Sequence, residues 1–366
     1  MEGIRIRSLR ELVTLQKKFS IACFLLKIPP VPSLIVPTDH SIQPPRFMKT
    51  ISIPLTFLLF LGTLWADPAD PAKVDTDYAI QGEYSGVVKG KDGDLKLGCQ
   101  VVALGKGNFM ARGYVGGLPG DGWNLTKEET VNSQKKEDGS LVFENDKHRG
   151  ILKKGVMHVE TLDGQKMGLL KRVERKSPTL GAKPPKGAVV LFEGASTEHF
   201  KPGRMTEDHL LMEGAKSIKL FGDHRLHIEF RLPYKPTARG QGRGNSGLYL
   251  QGRYEVQMLD SFGLEGKNNE CGGVYSIAPP RENMCFPPLT WQTYDVDFRA
   301  AVFKDGKKIK NANMTVRHNG VVVHENLDLP RRTTASPLKE GPEPGFVYLQ
   351  NHGNPVRYRN IWVKPL

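Results

Sequence analysis

The chain has 366 residues, enough for one large domain or two to three modest ones. Hydrophobic residues make up 39% and charged residues 25%, which excludes wholesale disorder, and the negative mean hydropathy excludes a multi-span membrane protein. The formal charge of +13 hints at nucleic acid, but residues 1–66 hold eight basic and three acidic side chains; without them the excess is +8. It is diffuse, with no basic block interleaved with aromatics, so nucleic-acid binding is not expected.

In chain order, residues 48–66 (MKTISIPLTFLLFLGTLWA) have the build of an export signal: a short positive start at Lys49, an apolar run from Ile51 to Leu64, and small Ala66 before the cleavage point. The run is shorter than the ~18 residues a membrane span needs, so no stable span is expected after its removal. Residues 1–47 show no sustained period and are set aside as a mis-assigned upstream extension. The expected mature chain from Asp67 is therefore periplasmic or secreted. It keeps Cys99, Cys271 and Cys285. Cys271 and Cys285 bracket a turn-rich loop and are candidates for a disulfide in an oxidising compartment, the alternative being two free thiols. Cys99, in LGCQVVAL, reads as a small buried hydrophobe.

Residues 74–176 carry brief strand-like runs (AIQGEYSGVV, LKLGCQVVAL, NFMARGYVGG, VMHVETL) separated by glycine-bearing turns, and predict a small accessory β-domain. Residues 177–187 (SPTLGAKPPKG) read as a proline-rich linker. Residues 188–366 return to dense strands with clearer alternation and no amphipathic helix, which predicts an all-β, jelly-roll β-sandwich.

Side chains alternate across a strand, so equal parity shares a face. In RYEVQMLD, Tyr254, Val256 and Met258 face the core, opposite Arg253, Glu255 and Gln257. In RLHIEFRL, Leu226, Ile228 and Phe230 do so, opposite His227, Glu229 and Arg231. In FVYLQNH, Val347 and Leu349 oppose Tyr348, Gln350 and His352; in YDVDF, Asp295 and Asp297 are the outer residues. These polar faces are either ordinary solvated surface or a bed for a polyhydroxylated ligand, with Trp291, Tyr275 and Tyr249 as flat surfaces for a sugar ring, or as core. Laminarinase-type glucanases carry three acids at E-x-D-x-x-E or E-x-D-x-E spacing. Here Glu255-Val-Gln257-Met-Leu-Asp260 has an amide in the middle, so retaining hydrolysis by paired carboxylates is not expected.

Five ordered motifs then carry a resemblance: GNSGLYLQGRYEVQMLDSFG (244–263), CGGVYSIAPP (271–280), WQTYDVDF (291–298), VRHNG (316–320) and LQNHGNPVRYRNIWV (349–363). Residues 188–366 resemble the 3-keto-disaccharide hydrolase domain family, common among exported proteins of planctomycete-type bacteria. The resemblance implies a concanavalin A-like sandwich acting on 3-keto-glycosides or related oligosaccharides. A ketone at carbon 3 acidifies the hydrogen on carbon 2, so a base can remove it and the enolate can expel the group on carbon 1 before water adds back. Within the motifs Glu255 is the candidate base, and His352 its rival or acid partner. Asp260 and Glu229 are further acid/base candidates or ion-pair acceptors. Arg253, Gln257, Gln350 and Arg357 are candidate oxyanion or hydroxyl contacts, and Asn245 lies beside Ser246 in a turn that a backbone role also explains. No cofactor is called for; a divalent metal is admitted by the nearby Glu, Asp and His, although no spacing demands one. A non-catalytic carbohydrate-binding sandwich and a conventional endoglucanase are the alternatives.

Overall fold

The computed structural model describes residues 69–126 and 128–366; the expected export signal (48–66), the stretch before it and Asp67 lie outside them. Eight strands come first: β1 (Gly82–Gly90), β2 (Gly93–Gly105), β3 (Asn108–Val115) and β4 (Glu129–Lys135). They continue as β5 (Leu141–Glu144), β6 (His148–Lys153), β7 (Val156–Thr161) and β8 (Lys166–Val173). Each pairs with the next, and β8 returns to β1, so the sheet closes into a barrel. Closure brings β1 and β8 together so tightly that a Cβ on Gly86 would overlap the Leu169 carbonyl; only glycine fits there. Alternate residues fill the inside, among them Tyr84, Val101, Ala103, Phe109, Leu141 and Leu152.

One end of the barrel is stoppered. A short helix, α1 (Thr76–Ile80), is capped by Asp75, whose Oδ1 accepts from the amides of Asp77 and Tyr78 at 3.1 and 3.2 Å. Tyr78 and Ile80 pack on the barrel core together with Tyr234 and Leu289 from beyond the linker. The Tyr234 hydroxyl donates to the same Asp75 oxygen at 2.8 Å.

The remaining strands form the second body: β9 (Val189–Phe192), β10 (Phe200–Lys201), β11 (Leu211–Met212), β12 (Lys216–Ser217) and β13 (His224–Arg231). Next come β14 (Ser246–Leu250), β15 (Tyr254–Met258), β16 (Trp291–Arg299), β17 (Val302–Lys304) and β18 (Lys307–Lys310). The last four are β19 (Ala312–His318), β20 (Val321–Leu329), β21 (Tyr348–Leu349) and β22 (Arg357–Pro365). One sheet has the order β10-β12-β21-β14-β15 and the other β11-β22-β13-β16-β19-β20, with β9 on β22. Between them lies one core, built from Leu248, Val256 and Met258 on one side and Ile228, Val296 and Phe298 on the other. The described residues are all-β apart from short helical turns, as the strand density predicts. No helix among the described residues is long and apolar enough to cross a membrane.

The polar face of β13 and β16 is covered around His227, Glu229 and Asp295, while its Arg225–Asp297 end meets solvent. Residues 177–182 lie across it: Gly181 N–H donates to Glu229 at 2.6 Å and the Thr179 hydroxyl to Asp295 at 2.7 Å. His227 bonds Asp295 through Nδ1 at 2.7 Å and stacks on Trp362. Burial by itself lowers the His227 pKa, but Asp295 and Glu229 outweigh it and hold the ring above its ordinary value. Glu229 also accepts from Arg359 at 2.6 Å and Asn360 at 2.9 Å. Despite burial, these donors and His227 keep its carboxyl down at about 2. The linker is thus pinned by a buried polar seam.

Candidate functional site

The site is built on the β14–β15 hairpin. The core takes Leu248, Leu250, Tyr254 and Val256, so alternation sends Gly247, Tyr249, Glu255 and Gln257 to the outer face of the five-stranded sheet. Tyr249 sits directly across from Glu255 and Gly247 from Gln257. The Glu255 carboxylate folds back over Gly247, where a side chain would collide with it. Glu255 is only 3% exposed. Burial raises its pKa to about 7, against a hydrogen bond from Tyr249 that pulls the other way. A carboxyl that titrates near neutrality is matched to general-base work at physiological pH.

Around it stands a chain of amides with fixed orientation. Gln241 Nε2 donates to the Asn269 carbonyl at 2.9 Å, which turns its oxygen toward the hairpin. That oxygen accepts from Asn245 Nδ2 at 2.8 Å and from Gln257 Nε2 at 2.9 Å. Gln350 Nε2 donates to the Tyr249 hydroxyl at 3.2 Å. With the nitrogens spent inside the protein, Asn245 Oδ1, Gln257 Oε1 and Gln350 Oε1 are buried acceptors without a partner. An unmet buried acceptor costs about 1–3 kcal/mol, and three in one cluster mark a place suited to hydroxyl donors. The outer layer is the half-buried trio Tyr275, Tyr348 and Gln350.

Six of the expected residues therefore gather here: Glu255, Gln257, Asn245, Gln350, Tyr249 and Tyr275, the last donating its amide to the Glu255 carbonyl at 3.2 Å. Gln257 and Gln350 present oxygen rather than nitrogen, so of the two roles the sequence leaves open they suit contacts to sugar hydroxyls rather than to an oxyanion. The others go elsewhere. Arg253 occupies the hairpin turn, where its guanidinium holds the carbonyls of Lys339 and Glu343 at 2.7 and 3.0 Å. Asp260 is locked to Arg243 at 2.7 Å, and Arg243 in turn reaches the barrel carbonyl of Ala103. Glu229 belongs to the seam under the linker, on the other sheet. Trp291, at the start of β16, lies under the guanidinium groups of Arg231 and Arg359. Arg357 pairs with Glu213 at 2.9 Å. Glu229, Trp291 and Arg357 left the expected group because β13, β16 and β22 joined the opposite sheet, a choice that alternation does not encode.

His352 is exposed on the loop after β21. That loop abuts the hairpin, since Gln350 N–H donates to the Gly247 carbonyl at 2.9 Å, but among the described residues no hydrogen bond or ion pair joins His352 to Glu255. Ser246 is internal, bonded to the Tyr358 hydroxyl at 2.6 Å. Cys271 and Cys285 are neighbouring buried thiols, not joined as a disulfide: the first contacts the Tyr294 hydroxyl at 3.2 Å, the second the Leu259 carbonyl at 3.6 Å. Among the described residues no group of three or more His, Cys, Asp or Glu is arranged to hold a metal ion.

Sequence reasoning missed Gln241, which orients the two neighbouring amides, and Gly247, which makes room for the carboxylate. Gln241 lies outside any strand and carries no periodic signal. Gly247 does carry one: a glycine inside an apolar strand marks a close approach.

Residues 187–364 match the family described as the 3-keto-alpha-glucoside-1,2-lyase-like domain. Fold and site thus define a carbohydrate-active, hydrolase-like β-sandwich. The sandwich carries that family's domain. Two solved structures are similar, both of candidate glycosyl hydrolases from Parabacteroides distasonis ATCC 8503. One is 30% identical, with 50% of this chain and 86% of that chain covered, at a TM-score of 0.47. The other is 19% identical, with 50% and 94% covered, at a TM-score of 0.37. No curated protein matches the chain.

Proposed function

We propose that the sandwich cleaves 3-keto-glycosides, with Glu255 as the base that takes the hydrogen from carbon 2. The observation that carries this reading is the pKa of about 7 on a carboxyl sealed against Gly247 beside Tyr249. In the reaction the C2–H electrons form the enolate on the carbon 3 oxygen. The enolate collapses to a C1=C2 double bond, and the C1–O bond breaks, with a proton delivered to the departing oxygen. Addition of water across the double bond turns the elimination into net hydrolysis. The partnerless oxygens of Asn245, Gln257 and Gln350 suit the sugar hydroxyls, and the hydroxyls of Tyr275 and Tyr348 are donors within the same outer layer. His352, exposed on the adjoining loop, is the proposed proton source for the leaving group.

A conventional endoglucanase mechanism needs a second carboxylate about 5–10 Å from the first. The nearest one in sequence, Asp260, is neutralised by Arg243. The test is to incubate the protein with a 3-keto-disaccharide and with its unoxidised parent in deuterated water. Cleavage of the ketone alone, with deuterium at carbon 2 of the product, is expected. Equal inertness toward both, with sugar binding retained, would make the sandwich a carbohydrate-binding module instead. Export remains part of the reading: the secreted protein is expected to begin near Asp67, which N-terminal sequencing checks.

A further inference from the structure

We infer that the barrel is a binding site for a small amphiphile with an apolar body and a single carboxylate head. The stopper of α1, Tyr234 and Leu289 closes one end only. At the other end the barrel opens into a cavity of about 470 Å³, within the range of small-molecule sites. Its wall is apolar: Val88, Leu97, Ala111, Phe143, Met157 and Leu170 face it. Of the ionisable groups on the buried part of that wall, burial pushes the Cys99 thiol up to about 12 and raises the Tyr114 phenol as well, so both stay neutral. Gly113 sits on the wall in register with Phe109 and Ala111, and a Cβ there would meet nothing within 4 Å. A packed barrel core leaves no such gap; an eight-stranded barrel with one has room for a single small ligand.

The rim decides the head group. Lys147 is matched by Glu129 at 3.5 Å, and Arg149 by Glu144 and Glu160 at 2.5 and 3.0 Å. Lys91, also at the mouth, has no ion-pair partner among the described residues. The rim therefore keeps one uncompensated cation over an apolar well, which complements a tail buried inside and one anionic head at the mouth. The barrel lies outside residues 187–364, so the inference is independent of the carbohydrate reading.

Calorimetric titration of the full chain, stripped of bound lipid, with octanoate, decanoate, dodecanoate and dodecanol tests it. Expected are one-to-one binding of the acids and a gain of about fourfold per added methylene until the well is full. Gly113→Leu and Ala111→Leu, each with an unchanged melting temperature, should weaken dodecanoate at least tenfold. Lys91→Glu should weaken the acid severalfold and leave the alcohol alone. No saturable binding by the wild-type chain, or binding that both filling variants leave intact, would overturn the cavity as the site. Equal affinity for acid and alcohol, unmoved by Lys91→Glu, would overturn the head-group assignment.

Discussion

Gly247 and Glu255 share one space: the carboxylate of Glu255 occupies the volume a side chain on Gly247 would fill. The backbone of Gly247 is ordinary strand, so the glycine is required by room and not by conformation. Gly247→Ala is therefore expected to keep the fold and push the carboxylate aside. A displacement of about 1 Å at a reacting group costs up to about a hundredfold in rate. Steady-state kinetics on a 3-keto-disaccharide should show kcat down by 10- to 100-fold with KM little changed.

Glu255→Gln should abolish turnover and stabilise the protein, a pairing that a merely structural carboxyl would not show. In the unfolded chain Glu255 ionises near 4.5, and in the folded chain near 7. Between those values the folded protein holds a proton that the unfolded chain has released. Stability therefore falls as pH rises through this window, by about 3 kcal/mol at most. Chemical denaturation at pH 8 should find the glutamine variant more stable than wild type, and at pH 4 equal to it. With wild type, kcat/KM should rise with pH and level off above an inflection near 7.

Gln241→Ala removes the acceptor that orients both Asn245 and Gln257. The two amides then turn freely, and their oxygens are no longer presented together. KM is expected to rise roughly tenfold, the worth of about one hydrogen bond, while the pH inflection set by Glu255 stays in place. A shift in that inflection would show that Gln241 acts on the base itself.

The linker seam should behave as structure. Glu229→Gln is expected to lower stability by about 3 kcal/mol, because Arg359 and His227 lose their buried partner, and to leave kcat unchanged. Its pH dependence has two edges. Glu229, held near 2, contributes stability that is complete above 4.5 and lost as pH falls through 2. His227, held above its ordinary 6.5, contributes stability that is complete below 6.5 and lost as pH rises through its raised value. The seam's own contribution is therefore complete between pH 4.5 and 6.5, and the variant should flatten the acid edge of the melting-temperature profile.

Alternation made the core legible. Tyr254, Val256, Met258, Leu226, Ile228 and Phe230 are the residues that strand parity assigns to the interior, and all are buried there. Parity also placed Glu255 and Gln257 together. It failed at Glu229, which has the same local pattern as Glu255 and ended on the other sheet, under a linker that reads from its prolines as a simple spacer. Docking of that spacer depends on Thr179 and Gly181 finding Asp295 and Glu229 more than 40 residues away in sequence, which no short window reveals.

By itself the chain's order of residues determined the β class, the faces of each strand and the motifs of the family, because these follow from backbone geometry repeated every two residues. Only the tertiary structure decided which polar faces meet. It separated Glu255 from Glu229, tied Asp260 to Arg243, and put Gln241 behind the site. Pairing between distant strands is a property of the whole packed molecule, and the pKa that makes Glu255 a base arises from burial that exists only once that packing is complete.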